Sequence, residues 1–188
     1  MSRRILTGIT TTGIPHIGNY FGAIKPALQL SSKKNVSSYF FLADLHAIIK
    51  QTNPNEIKVS VNEVALAWLS SGLDPEKSFF YRQSNIPEIT ELAWILSCVT
   101  AKGLINRSHA YKAAVQLNHD HTKDEDKGIS MGLFSYPVLM AADILMFNSS
   151  HVPVGNDQLQ HLEITRDIAE KFNHQYGNTF VIPEAIIN

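Results

Sequence analysis

The chain has 188 residues, 44% hydrophobic and 18% charged, with a formal net charge of −1. That suits one soluble α/β-sized domain and excludes a globally basic nucleic-acid binder. Its one cysteine, Cys98, excludes an internal disulfide or a cysteine-cluster metal site, and no apolar run is long enough for a leader or a membrane span. A cytoplasmic location is expected.

The apolar run Arg4–Ile9 predicts a first strand, and Tyr20–Ile24 predicts the start of a helix. Between them lies Thr10-Thr11-Thr12-Gly13-Ile14-Pro15-His16-Ile17-Gly18-Asn19. A strand, a small-residue turn and a helix N-terminus present unpaired backbone N–H groups to an anion. Gly13 and Gly18 allow close backbone approach, and His16 and Asn19 add side-chain donors. The pattern is neither the P-loop nor the dinucleotide fingerprint.

Ser38–Ala43 predicts a buried second strand. Asp44 and His46 follow it, placed either in a cleft or as a helix cap and a surface histidine. Asn53-Pro54 opens a helix, Gly72 closes it, and Val59, Val61, Val64, Ala65, Trp68 and Leu69 repeat at helical period. Ser78–Gln83 predicts a third strand. Residues 87–98 predict a helix with Leu92, Ile95, Leu96 and Val99 inward. Residues 116–128 are polar and acidic without apolar period, and predict a mobile surface loop. Its His119, Asp120 and His121 read better as solvated side chains than as metal ligands.

Residues 131–148 predict a helix on which Tyr136, Met140, Asp143 and Phe147 share one face. A carboxylate in an aromatic and methionine stripe needs a donor. That donor is either an internal partner or a ligand with one N–H or O–H on an apolar ring. His151–Val154 predicts a short strand, and residues 157–172 a final helix. Gly155 follows that strand, Asp157 opens the helix, and Gln158 and His161 share a face. These residues either hold ribose hydroxyls or an amino group, or form a capped, solvated first turn. Alternating strands and helices at this spacing predict a parallel doubly wound sheet with its ligands at the carboxyl ends of the strands.

Together these elements resemble the bacterial tryptophanyl-tRNA synthetases of class I. The His-Ile-Gly-Asn element, Asp44-Leu45-His46-Ala47-Ile48, the Met140–Leu145 helix and Val152–His161 occur in order over nearly the whole chain. The resemblance implies a Rossmann-like catalytic domain over residues 1–188 with a helical connective insertion at about 84–131. It implies activation of tryptophan with ATP and Mg2+, transfer to tRNA(Trp), no tightly bound cofactor, no metal held by protein side chains, and a homodimer joined through the insertion.

In this resemblance His16, Gly18 and Asn19 are catalytic. Together with Thr10, Thr11, Thr12, Gly155, Asn156, Asp157 and Ile187 they hold ATP. Asp143 accepts the indole N–H. Leu6, Gly8, His46, Met140, Val152 and Val154 shape the indole pocket, and Tyr136 and Gln158 orient the ammonium group. Thr10 stands where many relatives have glutamine, His16 where they have threonine, and Ala110 where relatives often place a glutamine that contacts the amino acid. The family's Lys-Met-Ser-Lys-Ser loop and anticodon-binding domain are not found in the sequence. A truncated enzyme that binds tryptophan but hardly activates it is therefore expected. The rival readings are a tyrosyl-type synthetase, a small-molecule nucleotidyltransferase of the same superfamily, and a non-catalytic tryptophan-binding paralogue.

Overall fold

The computed structural model describes residues 3–187. Five strands form one parallel sheet: β1 (Arg3–Thr10), β2 (Val36–Ala43), β3 (Phe79–Arg82), β4 (His151–Val154) and β5 (Glu184–Ile187). Their order is β3-β2-β1-β4-β5, with every pair parallel. The doubly wound expectation holds. β5 adds an edge strand that the sequence reading did not include.

Period-two alternation on β2 sends its side chains to two cores. Phe40 and Leu42 pack with Ile24, Ala27, Val61, Val64 and Trp68. Those residues come from α2 (Lys25–Ser31), the turn before it, and α4 (Pro54–Ser70). Phe41 and Ala43 pack on the other face with Leu6, Ile144, Val152, Val154 and Leu162. There α8 (Met131–Met146) and α9 (Leu159–Tyr176) pack on the sheet, and α5 (Glu88–Val99) packs against both of them. Ala141, Ala142 and Ala169 are fully buried where these helices meet.

Local signals account for the helix ends. The Asn53 side chain accepts the Asn55 N–H, and Pro54 sits in the first turn. After Ser70 the chain closes in a Schellman pattern. Leu73 N–H bonds Trp68 O, Gly72 N–H bonds Leu69 O (both 3.1 Å), and Gly72 has φ 102°. α8 ends the same way at Asn148, φ 50°, two residues past its last helical turn. The Ser130 side chain caps its start by accepting the Leu133 N–H.

Several expectations change. The helix expected at Tyr20 begins earlier, as α1 (Ile17–Asn19), and passes through one π-turn (Tyr20–Ile24) into α2. The final helix begins at Leu159, after a 3-10 turn at Asn156–Gln158. Ile95, expected inward, is exposed, as are Val59 and Leu69 of the predicted helical repeat, while Ile89 is buried.

The polar stretch 116–128 is not a structureless loop. Its first residues complete α7 (His109–Asp120). The turn after it is held by buried Asn118, whose amide donates to Glu125 O and Lys127 O, and by Tyr111 donating to Asp126. Here side-chain hydrogen bonds replace the missing apolar period. Residues 84–131 carry α5, α6 (Lys102–Ile105) and α7, between the strand-three end and α8. Among the described residues no helix is long and apolar enough to cross a membrane.

Candidate active site

β1 and β4 are neighbours in the sheet, and the strand order reverses between them. In such sheets the crevice at the carboxyl ends of the strands at that point takes the ligand. A cavity of about 370 Å3 opens there. Its walls include Leu6 and Gly8 from β1, Val152 and Val154 from β4, Tyr136, Met140 and Asp143 from α8, His46 from α3 (Asp44–Ala47), and Gln158. All nine residues expected around the amino acid thus converge on one cavity. Phe147, the fourth member of the α8 stripe, turns away and stacks on Tyr39.

Asp143 is fully buried on the cavity wall. Burial pushes its carboxyl above the usual carboxylate range, and hydrogen bonds from His46 and Gln83 oppose that rise. His46 Nε2 lies 2.8 Å from Oδ2. Gln83 Nε2 donates to Oδ1 at 2.8 Å and to Oδ2 at 3.0 Å. The question left open by the sequence is thereby answered for the protein itself, since Asp143 has two internal donors. A carboxylate offers about four lone-pair positions. Three are used, so acceptor capacity remains on Oδ1.

Gln83 was missed. Its signal was its position, directly after the third strand, where Asp44 and His46 stand after the second. Asp44 is not a surface cap. Its carboxylate accepts the Ser84 N–H at 3.0 Å and the Ser84 hydroxyl at 2.6 Å, with Arg82 Nε 3.4 Å away.

The Tyr136 hydroxyl lies 2.8 Å from His161 Nε2. Burial, then His109, holds the His161 imidazole below its ordinary value, so the neutral ring is favoured. The buried Nδ1 of the same ring has no hydrogen-bond partner. Gln158 donates to Asp157 Oδ2 at 2.8 Å.

The residues expected to hold ATP divide. Thr10 lines three adjoining cavities, and Thr12 lines the two of these that lie outside the main one. Asn19 lines the smallest, and Gly155 lines the main one. Thr11, in contrast, is fully buried, with an unpartnered hydroxyl facing the interior rather than the cavity. His16 caps α1. Its Nδ1 accepts the Gly18 N–H at 3.1 Å, and Asn19 Oδ1 accepts the His16 N–H at 2.9 Å. His16 is exposed and lines none of these three cavities, and Asn19 is half-buried.

Asn156 and Asp157 are exposed beside the opening. Ile187 pairs in register with Val154, one strand away from the cavity, and is exposed. A second sizeable cavity, about 300 Å3, shares Thr10, His46, Tyr136 and Gln158 with the first and adds Lys50, Ala110 and His161. Among the described residues no group of three or more His, Cys, Asp or Glu side chains is placed to hold a metal ion.

The fold is a doubly wound parallel sheet with a small-residue turn after β1 and a buried acid on the wall of the cavity where its strand order reverses. The family model for class I tRNA synthetases (W and Y) matches residues 2–188, and the chain belongs to that family. It is 61% identical to tryptophan–tRNA ligase of Bordetella pertussis over its whole length, and 60% identical to that of Pseudomonas putida. The chain spans 42% of the length of each. It is also similar to tryptophanyl-tRNA synthetase of Campylobacter jejuni crystallised with ADP and tryptophan. That match has a TM-score of 0.87 at 47% identity, covering 98% of this chain and 55% of that one.

Proposed function

We infer that this chain carries the tryptophan and ATP sites of a tryptophan–tRNA ligase, which joins tryptophan to AMP with release of pyrophosphate and then to tRNA(Trp). The observation that carries this reading is the convergence of Asp143, His46, Tyr136, Met140 and Gln158 on one cavity beside the Thr10–Asn19 turn. Relatives named tryptophan–tRNA ligase at about three-fifths identity support it, as does the Campylobacter jejuni structure with ADP and tryptophan.

Asp143 Oδ1 accepts the indole N–H while Leu6, Gly8, Met140, Val152 and Val154 enclose the ring. Tyr136 and Gln158 take the ammonium group. Thr10, Thr12, His16, Gly18 and Asn19 face the phosphates, and Gly155, Asn156 and Asp157 the ribose, with Ile187 toward the adenine. Thr11 acts by filling the turn from inside. Mg2+ enters with the triphosphate. The tryptophan carboxylate is already a competent nucleophile, so these groups act by positioning and charge stabilisation.

The same reading treats residues 84–131 as a helical insertion in one catalytic domain. It pairs two copies of the chain across that insertion, where Trp94 on α5 is 73% exposed. It places the enzyme in the cytoplasm, in translation.

Equilibrium dialysis of the purified chain against labelled tryptophan, with and without ATP, tests the reading. Saturable tryptophan binding that ATP strengthens is expected. A folded chain that binds ATP but not tryptophan would move the reading to a nucleotidyltransferase.

A further inference from the structure

Two short segments carry the donors to Asp143, and they are laced to each other. Gln83 is fully buried, and its amide oxygen accepts the Leu45 N–H at 3.1 Å. That bond fixes which end of the amide is the acceptor, so Nε2 must point at Asp143 and donate to both of its oxygens. One residue on, Ser84 gives its N–H and its hydroxyl to Asp44, which stands two residues before His46. Segments 44–46 and 83–84 thus form a clasp of three hydrogen bonds. Its two projecting donors, His46 Nε2 and Gln83 Nε2, end on the same carboxylate.

The geometry points to Gln83 as a positioning residue that sets ligand specificity. By donating to both oxygens it fixes Asp143 in rotation and turns the open face of Oδ1 toward the N–H of an aromatic ring. This rests on the reading of the cavity as a tryptophan site. A buried carboxyl with no donor takes up a proton and is free to turn, and then it becomes a weaker acceptor that also donates. A carboxylate held by two donors can only accept. It favours a ring N–H and penalises an isosteric ring without one, because its remaining lone pair is then left unpaired. Gln83 acts through Asp143, so its removal should reduce discrimination.

Calorimetric titration of the whole chain tests this with two ligands, tryptophan and its benzothiophene analogue, in which sulfur replaces the ring N–H. The wild type is expected to prefer tryptophan. Gln83→Met, similar in length but unable to donate, is expected to lower that preference about tenfold. In an Asp143→Asn background the same substitution is expected to leave the preference within about twofold. Should Gln83→Met fail to fold, Ser84→Ala loosens the clasp without touching Asp143 and is expected to lower the preference about threefold.

An unchanged preference in folded Gln83→Met, or an equal loss in the Asp143→Asn background, overturns the role of Gln83 and leaves the tryptophan site standing. Absence of tryptophan binding by the wild type overturns the site itself, and this inference with it.

Discussion

The ring of Phe41 on β2 fills the space in which any side chain at position 8 would begin. A Cβ built on Gly8 of β1 lies 2.4 Å from Phe41 Cε1 and Cζ. Both residues line the main cavity, so the missing side chain of one strand makes room for the aromatic wall contributed by the next.

Gly8→Ala is therefore expected to cost about 1–3 kcal/mol of folding stability, the usual penalty for overpacking. It should also weaken tryptophan binding, because Phe41 must move into the cavity. Urea unfolding and a binding titration on the same sample check both. A variant as stable as the wild type would mean that Phe41 has room to retreat.

Tyr136→Phe removes the hydroxyl that lies 2.8 Å from His161. About tenfold weaker tryptophan binding is expected, with little change for indolepropionate, which has no ammonium group for the phenol oxygen to accept from. Equal losses for the two ligands would remove Tyr136 from the ammonium site and leave it a purely structural role.

Stability should fall on acidification through His161. Burial, followed by the neighbouring His109, holds its folded pKa below the ordinary 6.5. As pH drops below 6.5 the unfolded ring takes up a proton that the folded ring refuses, so the unfolded state gains. The loss continues until the folded ring itself titrates. Urea unfolding at pH 7.5 and at pH 5.5 should show a larger loss for the wild type than for His161→Gln. Equal losses would assign the acid sensitivity elsewhere.

His16→Ala removes the acceptor that caps α1 at the Gly18 N–H. Loss of such a cap costs about 1 kcal/mol. Because the capped turn also presents Asn19, ATP affinity is expected to fall while tryptophan affinity without ATP holds. Parallel titrations with the two ligands separate these effects. A matching loss of tryptophan affinity would show that the turn shapes the amino-acid cavity as well.

Much of this arrangement was legible in the residues. β1, β2, β3 and β4 are apolar or aromatic runs bounded by polar turns, and for the inner strands β1, β2 and β4 burial in a parallel sheet demands that composition. The Asp143 face of α8 could be read because helical period places Tyr136, Met140 and Asp143 in a row whatever surrounds the helix. β5 could not be read. It is a four-residue edge strand, largely exposed, and only its pairing with β4 makes it a strand.

Gln83 was hidden for a different reason. Its partner is 60 residues away in sequence, and no local pattern records a contact made by the fold. Thr11 shows the reverse case. Three consecutive threonines look alike in sequence, but an extended backbone alternates their directions, so Thr10 and Thr12 reach the cavities while Thr11 points into the core. The turn after α7 concealed itself by composition, since its order comes from the Asn118 amide and not from apolar burial.

Everything proposed for the cavity turns on Asp143 reading an indole N–H. Calorimetric titration of the chain with tryptophan and with tyrosine, repeated on Asp143→Ala, tests it most directly. Tryptophan binding at least about a hundredfold tighter than tyrosine binding is expected in the wild type, the scale on which a buried polar group discriminates. This preference is expected to disappear in the variant while the fold survives, because water admitted to the emptied space accepts from His46 and Gln83 where they stand. Tyrosine binding as tight as tryptophan binding, or a preference unchanged in Asp143→Ala, would contradict it.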